Sequence, residues 1–469
     1  MKLAGLGALA LLTGCASTSP KAGYAAVASL VEQRGGMAPH WDQHTPEDAE
    51  VADRVKALVG KPLTPEAAVE LALLENRGLQ AVYESVGIAQ AELVQAGLLA
   101  NPSLGASVGI PFAGSSSTAV QGSLAEDFLR IFTIPLRKRF AEHALRAAEL
   151  RVGSAVMQMQ ADVRGQFLSF QAAQQTVELL RTIVGADAAS AELAKRQSAA
   201  GNISELTYAT RAALYQTERV ELARAEAALL ESREALNRLM GLWGADTRWQ
   251  VSATLPDLPK EELELGHIES RAIANRLDLA AAKEDAASLA RAFSLASGTR
   301  FIPLLDLGVS AERDSEGNQT IGPTAQVELP LFDQHQAELA RLAAQFREAR
   351  DRQLELAVEI RSQVRTQRNR LVTARQVVEH YRQVVLPLRE RIVQLSQEHY
   401  NGMLLGVYGL ILAKQDEITA YREYIDAVRD YWLARVELER ATGTRFPQST
   451  SPSTSTLPAE APARTAARL

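Results

Sequence analysis

The stretch Leu305-Asp306-Leu307-Gly308-Val309-Ser310-Ala311-Glu312, followed by Thr320-Ile321-Gly322-Pro323-Thr324-Ala325-Gln326-Val327-Glu328, decides the fold. In its first half Leu305, Leu307, Val309 and Ala311 alternate with Asp306, Gly308, Ser310 and Glu312, and Phe301 and Pro303 extend the apolar set upstream. After the polar tip Asp314-Ser315-Glu316-Gly317-Asn318 the alternation resumes, with Ile321, Pro323, Ala325, Val327 and Leu329 against Thr320, Gly322, Thr324, Gln326 and Glu328. Alternation with period two around a Gly/Asn turn is a β-hairpin. Strands of about ten residues are long enough to cross a bilayer at a tilt, and one apolar face against one polar face is the pattern of a transmembrane barrel. A half-buried hairpin of a soluble sheet would read the same way, so the surrounding chain has to decide.

That chain holds a second copy. Leu104, Ala106, Val108, Ile110 and Phe112 alternate with Ser103, Gly105, Ser107 and Gly109. A tip at Ala113-Gly114-Ser115-Ser116-Ser117 leads to Val120, Gly122 and Leu124 set against Gln121, Ser123 and Ala125. Ile134-Pro135-Leu136 parallels Leu329-Pro330-Leu331, Asn76-Arg77 parallels Asn275-Arg276, Gly201 parallels Gly402, and Met240-Gly241 parallels Thr442-Gly443. One motif is written twice, and that governs the architecture.

The bulk numbers exclude little. Across 469 residues, 46% hydrophobic and 23% charged are ordinary, and a net charge of -6 gives a nucleic-acid role no support. The N-terminus is more specific. After Met1-Lys2, an apolar run from Leu3 ends in Leu12-Thr13-Gly14-Cys15, too short to span a membrane and of signal-peptide form. A secretory signal with an incidental cysteine is the alternative to lipid attachment at Cys15. With one cysteine no intrachain disulfide can form. His40 and His44 have metal-ligand spacing if helical, but no third ligand accompanies them, so a surface linker is expected and no metal or other cofactor is assigned.

The rest of each copy is helical. Thr64 caps a helix block that opens at Pro65 and reaches about Leu99, with a break near Asn76. Val156, Val163, Phe170, Val177 and Val184 repeat every seven residues, as do Leu371, Val378, Val385 and Ile392, which is a heptad seam. Pro387 falls inside the second seam and is expected to kink it without changing its phase. Asn202 is the expected cap of the returning helix, with Glu205 three residues on. The spans from Pro135 to Gly201 and from Pro330 to Gly402 correspond to roughly 100 Å of helix at ~1.5 Å per residue. The expected organisation is a signal peptide at 1–14 and a linker or anchor at 15–62. A first repeat then spans 63–240 with its hairpin at 102–134 and tip at 201, an irregular midsection spans 241–266, and a second repeat spans 267–445 with its hairpin at 301–332 and tip at 402. The Ser/Thr/Pro-rich end at 446–469 is expected to be disordered.

Four strands cannot close a barrel, which needs about eight, and lipid does not tolerate an open edge. Other subunits must complete the sheet. This duplicated order resembles the TolC-like outer-membrane efflux protein family over roughly residues 50–445. The resemblance is carried by Asn101-Pro102, Pro135, Leu329-Pro330-Leu331 and the tip segments Gln197 to Gly201 and His399 to Gly402, and its specificity lies in the duplicated spacing. It implies a mainly α chain that forms a homotrimer with a twelve-stranded transmembrane β-barrel and a periplasmic α-helical tunnel. It also implies docking on a periplasmic adaptor and an inner-membrane pump. The box ending at Cys15 resembles that of bacterial lipoproteins, and Ala16 after it implies the outer membrane.

No HExxH, phosphate loop or GxSxG occurs, so no enzyme activity is expected. The expected function is a passive export duct for metal ions or small organic compounds. A protein-secretion channel and a coiled-coil lipoprotein tether are the alternatives. Weak similarity of the Gly402–Gln415 and Asp430-Tyr431-Trp432 segments to metal-efflux and copper-resistance members keeps metals in view. Many family members carry an aspartate ring just after the second tip. Here the run from Gly402 to Ala413 has no acid before Asp416. The expected pore constriction is therefore apolar, at Tyr408, Ile411 and Gln415, with Gly201, Asn202, Gly402 and Gly406 as adaptor-docking tips, although these residues could also simply pack the tip.

Overall fold

A computed structural model of the chain describes residues 23–43, 48–110, 118–252, 254–261, 265–301, 304–314 and 316–446. The elements run α1 (Tyr24–Gln33), α2 (Ala49–Val59), α3 (Pro65–Glu75), α4 (Arg77–Gly97), β1 (Ser103–Gly109), β2 (Ala119–Asp127), α5 (Leu129–Ala199) and α6 (Glu205–Met240). They continue with α7 (Ile268–Asn275), α8 (Leu277–Thr299), β3 (Leu305–Arg313), β4 (Gln319–Val327), α9 (Gln336–His380), α10 (Leu386–Asn401) and α11 (Val407–Thr442). Among the described residues, those within 23–30, 81–154 and 277–359 form one compact unit, and those within 31–80, 155–276 and 360–446 form another. No helix among the described residues is long and apolar enough to cross a membrane.

The first unit holds all four strands, in the order β1-β2-β3-β4, each antiparallel to the next. Its helical part closes over Tyr83, Val86, Ala147, Val152 and Leu279, all buried. His143 meets Glu284 at 2.6 Å, and Arg151 pairs with Asp285, tying α5 to α8. Strand β2 stops at Asp127 and α5 starts at Leu129, so 129–134 are helix and not the end of the first hairpin as the sequence pattern implied. The cause is local: the Asp127 carboxylate accepts the Arg130 N–H at 3.2 Å and opens the helix early. Pro135 then sits inside α5, where its fixed φ is helical and it removes one ladder bond.

In the second unit the duplication is visible in the caps. Thr64 accepts the Ala67 N–H at 3.1 Å and Pro65 takes the first helical position, as the sequence predicts. Asn76 makes the break: its Oδ1 accepts from Leu79 N (2.9 Å) to restart α4, and its Nδ2 donates to Leu239 O (2.9 Å) at the end of α6. Gly241 and Gly443 cap α6 and α11 in the left-handed region, at φ +75 and +68. A Cβ at Gly241 would lie 2.6 Å from Glu75 O, and one at Gly443 would lie 3.1 Å from Asn275 O. Each returning helix thus ends against the break of its own copy, where only glycine fits.

The midsection is packed, not loose. Trp249 is buried, donates to Asn237 Oδ1 at 2.7 Å and lies edge-on to Phe170 at 5.0 Å. Beside α11, the Glu439 carboxylate sits between two buried arginines, 3.1 Å from Arg164 and 3.9 Å from Arg435. Burial pushes Glu439 up and Arg164 down, and their mutual attraction opposes both shifts.

Two seam expectations need correction. Val156, Val163, Phe170 and Val177 are buried, but the seam then passes to Ile183, Asp187, Ser190 and Ala194, leaving Val184 half-exposed. Ile183 packs with Leu180 and Ile418, so the partner helix α11 sets the later phase. In the second copy a π-helical turn, Tyr381–Val385, precedes Pro387. Proline cannot donate to the carbonyl four residues back, and the π turn absorbs one extra residue. The inward positions therefore advance by one, to Leu386, Arg389, Val393, Ser396 and Tyr400, while Leu388 and Ile392 are 57% and 44% exposed.

Candidate functional site

The sheet has two distinct faces, fixed by its register. Leu104, Leu124 and Val309 lie side by side through β1, β2 and β3, and Leu307 lies opposite Ala325. With Val108, Val120, Ile321 and Val327 they form an apolar face whose large side chains are all exposed. The other face carries Ser107, Gln121, Glu312 and Thr320 in one cross-strand row, Ser123 and Ser310 in another, and Asp127, Asp306 and Gln326 in a third. The same face carries Glu126 opposite Leu307 and Arg313 opposite Val120, so its apolar part lies between these two charges; unpacked within the described residues, that part is what lipid would cover. The second tip is rigid: Asp314 Oδ1 accepts from Glu316 N (2.8 Å) and Asn318 N (2.9 Å). The Asn318 side chain first, and these backbone N–H groups with it, hold the Asp314 carboxyl below its ordinary range. The first hairpin tip lies outside the described residues.

The helical tips are built by matched turns. At the first, Asn202 N bonds Gln197 O (2.8 Å) and Gly201 N bonds Ser198 O (3.0 Å), with Gly201 at φ +73. At the second, Leu404 N bonds His399 O (2.8 Å) and Met403 N bonds Tyr400 O (3.0 Å). These are the same paired C-terminal bonds, so Gly201 corresponds to Met403 and not to Gly402, whose φ is -81. Met403 takes the left-handed conformation at φ 58 without being glycine, and its side chain is 95% exposed. Ser204, not Asn202, caps α6, accepting from Thr207 N at 3.2 Å, and Gly406 holds the corresponding place before α11. Among the described residues, a Cβ at Gly406 would meet nothing and one at Gly402 only its own turn, so neither glycine serves close helix approach within the chain.

The residues expected at a constriction are tied to the first helical hairpin. The Tyr408 hydroxyl donates to Gln197 Oε1 at 2.7 Å, and the Arg211 guanidinium lies 4.6 Å over its ring. Gln415 Nε2 donates to Asp187 Oδ1 about two turns further along α11. Ile411 is half-buried, while Gly201, Asn202, Gly402 and Gly406 are exposed. Burial pushes the Asp187 carboxyl above its ordinary value, opposed by the Gln415 hydrogen bond and the Arg211 charge. The first acids on α11 are neutralised within the hairpin: Asp416 meets Arg389 at 3.1 Å and Glu417 pairs with Lys414.

No family model matches the chain. It is 26% identical over 394 residues to the cobalt-zinc-cadmium resistance protein CzcC of Cupriavidus metallidurans, covering 81% of this chain and 90% of that one. Among solved structures, the CmeC outer membrane channel of Campylobacter jejuni superposes with a TM-score of 0.71 at 16% identity, over 82% of this chain and 87% of that one. CusC gives 0.68 at 16% identity over 84% and 92%. The chain shares the fold of these TolC-like outer membrane channels. In this TolC-like chain, sequence reading found Tyr408 and Gln415 but not their partners Gln197, Arg211 and Asp187. A signal was present, because Asp187 and Ser190 are polar residues at seam spacing, and both are buried. Cys15 and His44 lie outside the described residues. His40 meets Asp48 at 2.8 Å, and no group of three or more His, Cys, Asp or Glu among the described residues is placed to hold a metal.

Proposed function

We propose that this TolC-like chain is the outer-membrane duct of a tripartite efflux system and passes metal ions outward. The observation that carries the duct is the two-faced four-stranded sheet, in which the outer edges of β1 and β4 are both unpaired among the described residues. In lipid those edges have to be closed, and three copies give a twelve-stranded barrel within the size range of membrane barrels. The long helical hairpins then form the periplasmic tunnel. Its exposed tips meet the adaptor, which connects to an inner-membrane pump that supplies the energy. Diacylation of Cys15 anchors each subunit to the same membrane. Metal ions are the favoured cargo because of the likeness to a cobalt-zinc-cadmium resistance protein along most of both chains.

The gate is proposed at the start of α11. Tyr408 and Gln415 hold α11 to the first helical hairpin, and release of these contacts by adaptor docking widens an apolar constriction. Support for an apolar gate comes from the ion-paired state of Asp416 and Glu417, which leaves no unpaired acid early in α11. Such a gate closes by dewetting, so closed-state conductance should respond weakly to divalent cations. Native mass in mild detergent tests the duct: about three times the 50.8 kDa chain, less its signal peptide, is expected, and a stable monomer refutes closure by subunits. Cargo is tested separately. Loss of the protein should raise cellular zinc, cobalt or cadmium at fixed external metal, and unchanged metal content removes the cargo assignment alone.

A further inference from the structure

The first turns of α5 read Leu129-Arg130-Ile131-Phe132-Thr133-Ile134-Pro135-Leu136-Arg137-Lys138-Arg139-Phe140, with four cations and no acid. Arg130 and Arg137 are two turns apart on one side of the helix, and both are half-buried. Arg137 Nη2 donates to Arg130 O at 3.2 Å. The Nε of each guanidinium is sealed from solvent without an acceptor, and neither residue forms an ion pair among the described residues. Three unfavourable features therefore coincide. Two like charges adjoin, both are partly desolvated, and Arg130 occupies the first turn of a helix with no acid there, where the helix dipole disfavours a cation. Burial first, and then the Arg130 charge, lower the affinity of Arg137 for its proton, with only Asp127 pulling the other way. Asp127 itself is engaged by the Arg130 backbone N–H.

A bound anion would offset all three, and the planar guanidinium fork matches a phosphate group. Resting on the outer-membrane reading above, we propose that Arg130 and Arg137 bind the phosphodiester headgroup of a glycerophospholipid where the barrel meets the membrane surface. The surroundings favour a lipid over free phosphate. Phe128 follows directly on β2, and Phe128, Phe132 and Phe140 are exposed, Phe132 by 66%. Leu124, four residues before Phe128, belongs to the apolar face of the sheet. Aromatic side chains at the rim of an apolar belt beside clustered cations are the make-up of a segment that sits at a headgroup layer. The duplication supplies an internal control, because residues 324–335 around Leu329-Pro330-Leu331 carry Glu328 and Asp333 and no Lys or Arg. The headgroup site is thus a property of the first copy alone, one per subunit.

The test uses the full chain in a phosphate-free detergent, with native mass spectrometry and thermal melting. Added phosphatidylglycerol should be retained at one molecule per subunit and should raise the melting temperature of the wild type, whereas diacylglycerol, which lacks the phosphate, should do neither. Arg130→Gln with Arg137→Gln should weaken phosphatidylglycerol retention at least tenfold, and Arg341→Gln on α9 should leave it unchanged. Equal retention in the double variant overturns the proposal, as does equal stabilisation by diacylglycerol. Displacement of the lipid by millimolar inorganic phosphate makes this a free-anion site and overturns the lipid assignment. If the double variant does not fold, the wild-type comparison of phosphatidylglycerol with diacylglycerol still decides. Trimer mass in the same spectra reports on the duct reading independently.

Discussion

Tyr408→Phe is the sharpest test of the proposed gate, because it deletes one atom. The ring stays beneath Arg211, which lies 4.6 Å from its centre, while the 2.7 Å bond to Gln197 is lost. A net side-chain hydrogen bond is worth about 1 kcal/mol. If the subunits open singly, the open population should rise about fivefold; if three open together the losses add to about 3 kcal/mol, about a hundredfold at 1.4 kcal/mol per decade. Tyr408→Ala removes the cation–π contact as well, at roughly 0.5–1 kcal/mol more per subunit, so it should exceed Phe. The assay is basal conductance of the purified protein in planar bilayers without adaptor. Tyr215→Phe is the control, since Tyr215 stacks with Arg219 of its own helix at 5.7 Å. Wild-type conductance in Tyr408→Phe, or an equal rise in Tyr215→Phe, would refute the reasoning. Strong divalent block of the wild type would do the same for an apolar gate.

The face assignment predicts that Leu307→Arg blocks membrane insertion, at about 2–4 kcal/mol near the bilayer midplane, whereas Ser310→Arg inserts and alters conductance; equal insertion of both reverses the register argument. Metabolic labelling with a fatty-acid analogue should be lost in Cys15→Ala, with the barrel still inserted, and equal labelling of the two proteins rules out the anchor. Glu439→Ala leaves Arg164 and Arg435 buried without their shared carboxylate, so it should cost about 3–5 kcal/mol and lower the melting temperature. An unchanged melt would mean that water reaches those arginines.

What the sequence made legible was whatever is written with a short period or a cap. The period-two faces of β3 and β4, the Thr64 cap and the break at Asn76 each depend on a few adjacent residues, and each appears where the pattern puts it. The failures share a different cause. The end of the first hairpin at Asp127 depends on one carboxylate capping the next helix, a choice that alternation cannot reveal. The phase of the second seam depends on where the chain absorbs Pro387, and a π turn and a kink leave the same heptad string behind them.

The pairing of Gly201 with Gly402 erred for a related reason. The second tip puts the left-handed residue one position later, at Met403, and a glycine beside a turn is not always the residue that makes it. A non-glycine residue held at positive φ is strained, and here the strain is kept at a tip whose next side chains, Met403 and Leu404, are exposed and apolar. The first tip offers Gly201 and Asn202 at the same two places. If the tips meet the adaptor, the two copies present unlike surfaces to it, one small and polar and one apolar. A trimer would then offer six tips of two alternating kinds, and the adaptor contact proposed to release Tyr408 would fall on the apolar kind, where Met403 lies five residues from the side chain to be freed.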